Sequence, residues 1–151
     1  MSGRRPAVSG ATPAGSRVAQ TAVEFAIVLP ILLLLILGLV NLGVLITTHI
    51  VCTQAAWEGA RAGATLTDPA HGDAEIMGAV RSALTGLDAD RAEVDIDPTQ
   101  SEFPRNRPYP MPRGEPLTVS VEYPLTLYVP FPISVPVIAK AVTRMEYQNP
   151  P

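Results

Sequence analysis

One acidic residue, Glu24, precedes a long stretch of the chain that carries no charged side chain. The 24 residues that follow, from Phe25 to Thr48, contain no Asp, Glu, Lys, Arg or His. A carboxylate at the boundary of a lipid layer is costly unless it is paired. Glu24 is therefore expected either to meet a specific cationic partner or to rest in the head-group zone, with Arg17 near.

Few other residues have the types and spacing that chemistry requires. The chain has a single cysteine, Cys52, so an internal disulfide is excluded. We expect Cys52 to be a packed thiol rather than part of an intermolecular disulfide. Glu93, Asp95 and Asp97 share one face of a predicted strand but lack the loop spacing of a calcium motif. No nucleophile–base pair, phosphate-binding glycine loop or metal cluster is apparent. The sequence therefore predicts a protein that is not an enzyme and that uses no cofactor, metal or nucleic acid.

The charge-free stretch has the length and composition of a membrane-spanning helix. About 20 apolar residues cross a hydrocarbon core of roughly 30 Å, and a helix pairs its own backbone groups in lipid. We predict a transmembrane helix over residues 20–48, bent or loosened at Pro30. One alternative is a cleaved secretory signal, whose apolar region would be shorter. The other is a buried helix of a soluble domain, for which the rest of the chain is too small and too polar.

Asn41 is the one strongly polar residue near the middle of this predicted span. Its amide has two plausible uses, a bond to local or other backbone groups and a contact with a partner helix. Gly38 and Gly43 would let a partner helix approach closely.

Charges are distributed unevenly on the two sides of the span. Residues 1–19 contain three arginines and no acid, and their Gly, Ser, Ala and Pro content predicts disorder. The residues after Thr48 contain eight Lys and Arg against thirteen Asp and Glu. By the positive-inside rule, residues 1–19 are a cytoplasmic leader and the domain after the span lies outside the cell membrane.

The helix is predicted to continue beyond the membrane through residues 49–66. Small residues recur there at Ala55, Gly59 and Gly63, and this four-residue spacing makes one smooth helical face. Such a face allows close packing against another helix or against a sheet.

Residues 67–151 are predicted to form one small α+β domain outside the membrane. Apolar residues at helical spacing predict a second helix over Asp73–Thr85. About three antiparallel strands complete the domain. The predicted fold is therefore a single-pass membrane protein, whose long N-terminal helix runs into a small outer domain.

Alternating patterns predict the strands at residues 92–97, 117–123 and 137–147. The proline-rich stretches 98–116 and 124–136 are predicted to be loops, because proline is excluded from central strands.

Two segments resemble the TadE-like family of tight-adherence (Tad) pilus proteins. Residues 23–30 read VEFAIVLP, similar to the family's typical VEFALVLP at the head of its span. Residues 55–61 read AAWEGAR, similar to AAREGAR just after that span. The stronger similarity covers Gln20–Ala64, and a looser one follows Glu115.

The resemblance implies a minor pilin or pseudopilin that acts in assembly of the Tad pilus or its secretion machinery. Such proteins are similar to type IV pilins, which a prepilin-type peptidase cuts so that an acid becomes the fifth residue. Counting back from Glu24 places the cut between Ala19 and Gln20. The family usually has Gly before the cut, and this chain has Ala19.

The resemblance also implies how Glu24 is used. A cut before Gln20 creates an α-amine that is charged at neutral pH. In a helical stack of subunits, that amine can meet Glu24 of the next subunit and fix the axial register, with Phe25 beside it in the subunit contact. The implied partners are the membrane, other pilus subunits with the inner-membrane assembly platform, and the peptidase.

Two other classes of function remain open. One is an uncleaved, membrane-anchored binding module that recruits an outside ligand through residues 98–136. The other is an anchored hydrolase that uses acids such as Asp95 and Asp97, although a domain this small with two long proline-rich loops scarcely provides a cleft.

Overall fold

A computed structural model describes residues 14–66, 72–99, 114, 116–129 and 131–145, and for residues 14–19 and Val129 it describes the backbone alone. Two helices, one 3₁₀ turn and three strands follow in order within this part of the chain. They are α1 (Ala14–Ala64), α2 (Gly72–Ala83), the 3₁₀ turn (Ala89–Arg91), β1 (Glu93–Asp97), β2 (Pro116–Val129) and β3 (Phe131–Arg144). The predicted α+β class, with a long N-terminal helix, a second helix and three antiparallel strands, is confirmed.

Helix α1 is continuous over 51 residues and passes through Pro30. It begins at Ala14, ahead of the predicted start at residue 20. Every residue from Gln20 to Ile36 is exposed, so the alternative of a helix buried within the chain's own domain is wrong. In the described part of the chain, α1 is the one helix long and apolar enough to cross a membrane. Its length and composition are those of a membrane anchor.

Helix α2 lies close to its predicted position and ends two residues earlier, at Ala83. Its buried stripe contains Ile76 and Val80 and continues to Leu84, as the helical spacing predicts. Gly86 follows with φ +79°, a backbone conformation that glycine adopts without strain.

The three strands form one antiparallel sheet in the order β1-β2-β3. Strand β1 has the predicted alternation, since Glu93, Asp95 and Asp97 are exposed whereas Ile96 is buried. In β2 the alternate residues Leu117, Val119, Val121 and Tyr123 are buried, as their spacing predicts.

The prediction of a loop over residues 124–136 is wrong. Strand β2 continues to Val129 and β3 begins at Phe131, so the two strands form one long hairpin. Pro124 lies opposite Pro136, and Pro132 lies opposite Tyr128. These pairs belong to the same alternate set of the ladder, in which residues exchange no hydrogen bonds across an antiparallel pair. The missing N–H groups therefore cost the β2–β3 ladder nothing.

The pairing of β1 with β2 ends at Glu93↔Glu122. From Pro124 onward β2 consequently has an open edge on the β1 side, where proline is tolerated. The other predicted proline loop, residues 98–116, falls mostly outside the described residues.

The core lies between the second half of α1, helix α2 and one face of the sheet. Its buried members are small on α1 and mostly branched or long on the opposite elements. They include Cys52, Ala55, Ala56, Ala60, Ile76, Val80, Leu117, Val119, Val121, Val137, Ala139, Ala141 and Met145.

Candidate interaction surfaces

Glu24 lies at the exposed N-terminal end of the apolar half of α1. The Gln20 Nε2 group donates a hydrogen bond to Glu24 Oε1 at 3.3 Å, across one helical turn. Phe25 is 63% exposed and contributes an aromatic ring to the same bare surface. The predicted cut between Ala19 and Gln20 would fall within α1. The helix thus brings Gln20, Glu24 and Phe25 together on a segment that the outer domain does not cover.

The small-residue face of α1 is covered by the chain's own domain. A Cβ atom added at Gly59 would clash with Val80 Cγ2 and lie 3.2 Å from Val119 Cγ1. A Cβ atom added at Gly63 would clash with Leu117 Cδ2. Ala55 is fully buried. These three residues therefore let α2 and β2 approach α1 closely, and they offer no free face to a neighbouring helix.

The opposite side of the same helical segment is exposed. Trp57, Glu58 and Arg61 line a shallow, open groove together with Thr65 and Thr143 of β3. The AAWEGAR segment is thus divided by the helical period, with its alanines and glycine in the core and its larger residues at the surface.

Asn41 binds the tip of the hairpin, a contact that the sequence did not reveal. Its Nδ2 group donates to the Leu37 carbonyl at 2.8 Å and to the Tyr128 carbonyl at 3.0 Å. The Tyr128 N–H donates to Asn41 Oδ1 at 3.1 Å. Of the two uses predicted for Asn41, the bond to backbone is the one found within the chain. An amide alone in an apolar run indicated that Asn41 has a polar partner, but no nearby residue indicated that this partner is Tyr128.

A second side chain binds the same open edge of β2. The Arg91 Nη2 group donates to the Pro124 carbonyl at 3.1 Å. Its guanidinium carbon also lies 5.7 Å from the centre of the Tyr123 ring, within cation–π distance. Arg91 and Asn41 thus bind β2 where β1 no longer pairs with it.

Cys52 is fully buried on the core side of α1. Burial raises the pKa of the Cys52 thiol, because the thiolate would lose its hydration. The thiol therefore behaves as a small apolar group in the core.

The acids of β1 face solvent, with Asp95 and Asp97 both exposed. Within the described ranges, no group of three or more His, Cys, Asp or Glu side chains is placed to hold a metal ion.

Residues 19–61 match the model of the TadE-like protein family. The resemblance seen in the sequence is thereby confirmed over the segment that contains Glu24, the apolar run and AAWEGAR. This match supports a role associated with the Tad pilus. No curated protein and no solved structure shows significant similarity to the chain.

Proposed function

We propose that this chain, with its TadE-like residues 19–61, is a minor pilin or pseudopilin that acts in assembly of the Tad pilus or its secretion machinery. The observation that carries the proposal is the bare segment Gln20–Ile36 of α1. It contains Glu24 near its start and is joined through the rest of α1 to a folded outer domain. Every residue in that segment is exposed. An apolar surface that continuous needs lipid or other helices around it.

The proposed subunit contacts use this segment and not Ala55, Gly59 and Gly63. Those three residues are occupied by α2 and β2 of the same chain. We propose that residues 20–36 rest in lipid before assembly and pack against the helices of other pilus subunits afterwards.

In this proposal, Glu24 sets the axial register between neighbouring subunits. In an assembled stack, the α-amine of a mature chain beginning at Gln20 pairs with Glu24 of a neighbour. The internal bond from the Gln20 side chain is 3.3 Å long, exposed and between a neutral donor and a carboxylate, so it is readily exchanged for a charged partner. Processing by a prepilin-type peptidase is part of this proposal.

The proposed orientation has residues 1–19 in the cytoplasm and the α+β domain outside. Its support is the three arginines with no acid before residue 20. An impermeant thiol reagent on intact cells tests it, with a cysteine at Ser9 or at the exposed Ser82 in a Cys52→Ser background that also carries Ala19→Leu to keep residues 1–19 attached. Labelling at Ser82 alone is expected, and labelling at Ser9 alone would reverse the orientation.

Photo-crosslinking in the native host tests the function itself. A crosslinking residue at Leu33, which is exposed on the bare segment, is expected to capture pilus or assembly-platform subunits. The matched control places the same residue at Met77, which is exposed on α2. Capture of pilus proteins from Met77 but not from Leu33 would contradict assembly through the N-terminal helix.

The uncleaved binding module remains the second candidate, and the structure weakens the surface assigned to it. About one third of the proposed ligand-binding stretch lies in residues 124–136, where residues 124–129 pair with residues 131–136 in the hairpin rather than forming a free loop. Mass spectrometry of the mature N-terminus separates the two functions, because the module keeps residues 1–19 and the pseudopilin begins at Gln20.

A further inference from the structure

The tip of the β2–β3 hairpin lies beside the apolar part of α1. Residues 123–139 contain no charged side chain, and the nearest charges are Glu122 and Lys140. The tip exposes large apolar groups, with Phe131 75% exposed, Tyr128 60% and Ile133 52%. This apolar end of an extracytoplasmic domain needs an environment that the chain's own core does not supply.

Three contacts fix how far the hairpin descends along α1. Leu117 packs where Gly63 lies, Val119 packs where Gly59 lies, and Tyr128 binds Asn41. From Leu117 to Tyr128 the strand advances about 36 Å at roughly 3.3 Å per residue. From Gly63 to Asn41 the helix advances about 33 Å at 1.5 Å per residue. Strand β2 therefore runs antiparallel to α1 over its whole length.

The level of Asn41 can be compared with the thickness of a membrane. If the hydrocarbon core begins directly after Glu24, about 20 helical residues and roughly 30 Å bring its outer boundary to about Val44. Asn41 lies three residues before that point, so Tyr128 sits about 5 Å inside the boundary. Glu122 lies six strand residues from Tyr128, about 20 Å further out along the strand.

We propose that the tip of the β2–β3 hairpin, formed by Tyr128, Phe131 and Ile133, is a second membrane-contact element that enters the outer face of the lipid bilayer beside α1. The tip contacts the apolar part of α1 at Asn41. Between α1 and β3 lies a largely apolar groove, whose lining includes Leu45, His49 and Ile138. Tyrosine is enriched at membrane–water interfaces, where its amphipathic ring lies at the level of the head groups.

The bond pattern at the tip suits entry into lipid. An open strand edge has unpaired backbone groups, which are costly away from water. Asn41 pairs both the N–H and the C=O of Tyr128 on the open edge of β2. Pro132 of β3, opposite Tyr128, has no N–H to leave unpaired on the other edge of the hairpin. At the level of Tyr128, the open edge of β2 therefore has both of its polar groups paired.

This inference rests on the proposed membrane anchoring of α1, and the experiment separates the two. The full-length chain carries Cys52→Ser and a single nitroxide-labelled cysteine at Phe131, Leu33 or Val142, in vesicles of dioleoylphosphatidylcholine. Collision rates of the label with oxygen and with a water-soluble nickel chelate are measured. Val142 is the matched control, because it is exposed on the same strand at the far end of the hairpin.

The label at Phe131 is expected to resemble the label at Leu33, with an oxygen-to-nickel collision ratio several-fold above that at Val142. A Phe131 ratio equal to that at Val142, with Leu33 in lipid, would overturn the hairpin inference and leave the anchor standing. A Leu33 ratio equal to that at Val142 would overturn both. A Phe131 label shielded from both reagents would show a protein partner in place of lipid and would also overturn it.

A second measurement avoids the labelled variants. Trp57 is the sole tryptophan and is exposed on α1, sixteen residues beyond Asn41. In vesicles containing brominated lipid, the parent's Trp57 fluorescence is expected to stay unquenched, whereas Tyr128→Trp adds a quenched component. Equal quenching of both proteins would contradict a membrane-inserted tip.

Discussion

The Asn41 carboxamide binds both backbone polar groups of Tyr128, a residue 87 positions away in the chain. It receives the N–H at 3.1 Å and donates to the C=O at 3.0 Å, as a neighbouring strand would. A single amide therefore replaces one rung of a ladder at the place where β1 has ended. This contact joins the apolar helix to the outer domain and fixes the position of the hairpin along α1.

Replacing Asn41 with leucine is expected to free the tip of the hairpin. The substitution keeps the size of the side chain and removes two bonds to Tyr128, each contributing about 0.5–1.5 kcal/mol. Local opening at the tip should then be easier by about 1–3 kcal/mol. The measurement is hydrogen exchange of the Tyr128 amide in micelles, which should be roughly 5- to 150-fold faster.

The control for this variant is Thr47→Val. The Thr47 hydroxyl donates to the Gly43 carbonyl within α1, at 2.9 Å, and has no bond to the hairpin. It should leave Tyr128 exchange unchanged. If Asn41→Leu and Thr47→Val gave the same Tyr128 exchange rate, the amide would not be holding the tip.

Gly59→Ala is expected to destabilise the outer domain. The added methyl would clash with Val80 and press on Val119, and overpacking of this kind costs about 1–3 kcal/mol. Thermal unfolding of the full chain in detergent would report it as a lowered Tm. Gly78→Ala is the matched control in α2, because nothing lies within 4 Å of its added Cβ atom.

In Gly78→Ala the Tm should stay the same or rise, since alanine favours a helix over glycine by up to about 1 kcal/mol. If Gly59→Ala did not lower the Tm, α1 and α2 could move apart without a loss of stability, which would contradict the prediction.

Local patterns predicted most of the secondary structure. The apolar run predicted α1, and the helical spacing of Ile76, Val80 and Leu84 predicted α2. Alternation predicted the first part of β2. Each of these signals lies within one continuous segment of the chain, so it can be seen without knowing the fold.

The hairpin could not be predicted in the same way. Proline breaks a strand only where its N–H would be needed, and that depends on the register between β2 and β3. Pro124 and Pro136 lie opposite each other, so both fall on positions that the ladder does not use. The partner of Asn41 depended on that same register. Glu24, in contrast, could be identified from its place at the head of the charge-free run.

Cys52 is expected to be an unreactive thiol. It is fully buried, and burial raises its pKa above the ordinary 9.0. Its alkylation by iodoacetamide should be more than about tenfold slower than that of a cysteine at the exposed Ser82 in a Cys52→Ser background. The parent should also run as a monomer on a non-reducing gel. A dimer band that disappears in Cys52→Ser would contradict a packed thiol.

The same thiol gives a pH dependence of known sign. The unfolded thiol ionises near 9.0 and the folded thiol ionises at a higher pH. The unfolded state therefore binds fewer protons between these values, and the free energy of unfolding should fall as the pH rises above about 9. Chemical denaturation at pH 8 and pH 10 measures this fall, which should be smaller in Cys52→Ser.

Glu24 and Ala19 carry the last prediction, which joins processing to assembly. Glu24→Gln should leave the protein inserted in the membrane, because it removes a charge from the lipid boundary. It should still impair pilus assembly, because the α-amine of a neighbouring Gln20 loses its ionic partner. Fractionation of membranes and recovery of assembled pili measure the two effects separately. Glu24→Asp is the matched control, which keeps the charge on a shorter side chain and should assemble better than Glu24→Gln.

The residue before the cut tests the processing step on its own. Alanine adds one methyl to the glycine usual at this position, so the parent is expected to be cut after Ala19. Ala19→Gly should be cut at least as well, and the bulky Ala19→Leu should block the cut and leave residues 1–19 attached. Mass spectrometry of the N-terminus reads out each variant. Assembled machinery that contains the parent with its first 19 residues intact would refute processing, and it would favour the uncleaved anchor, for which Glu24 has no α-amine to meet.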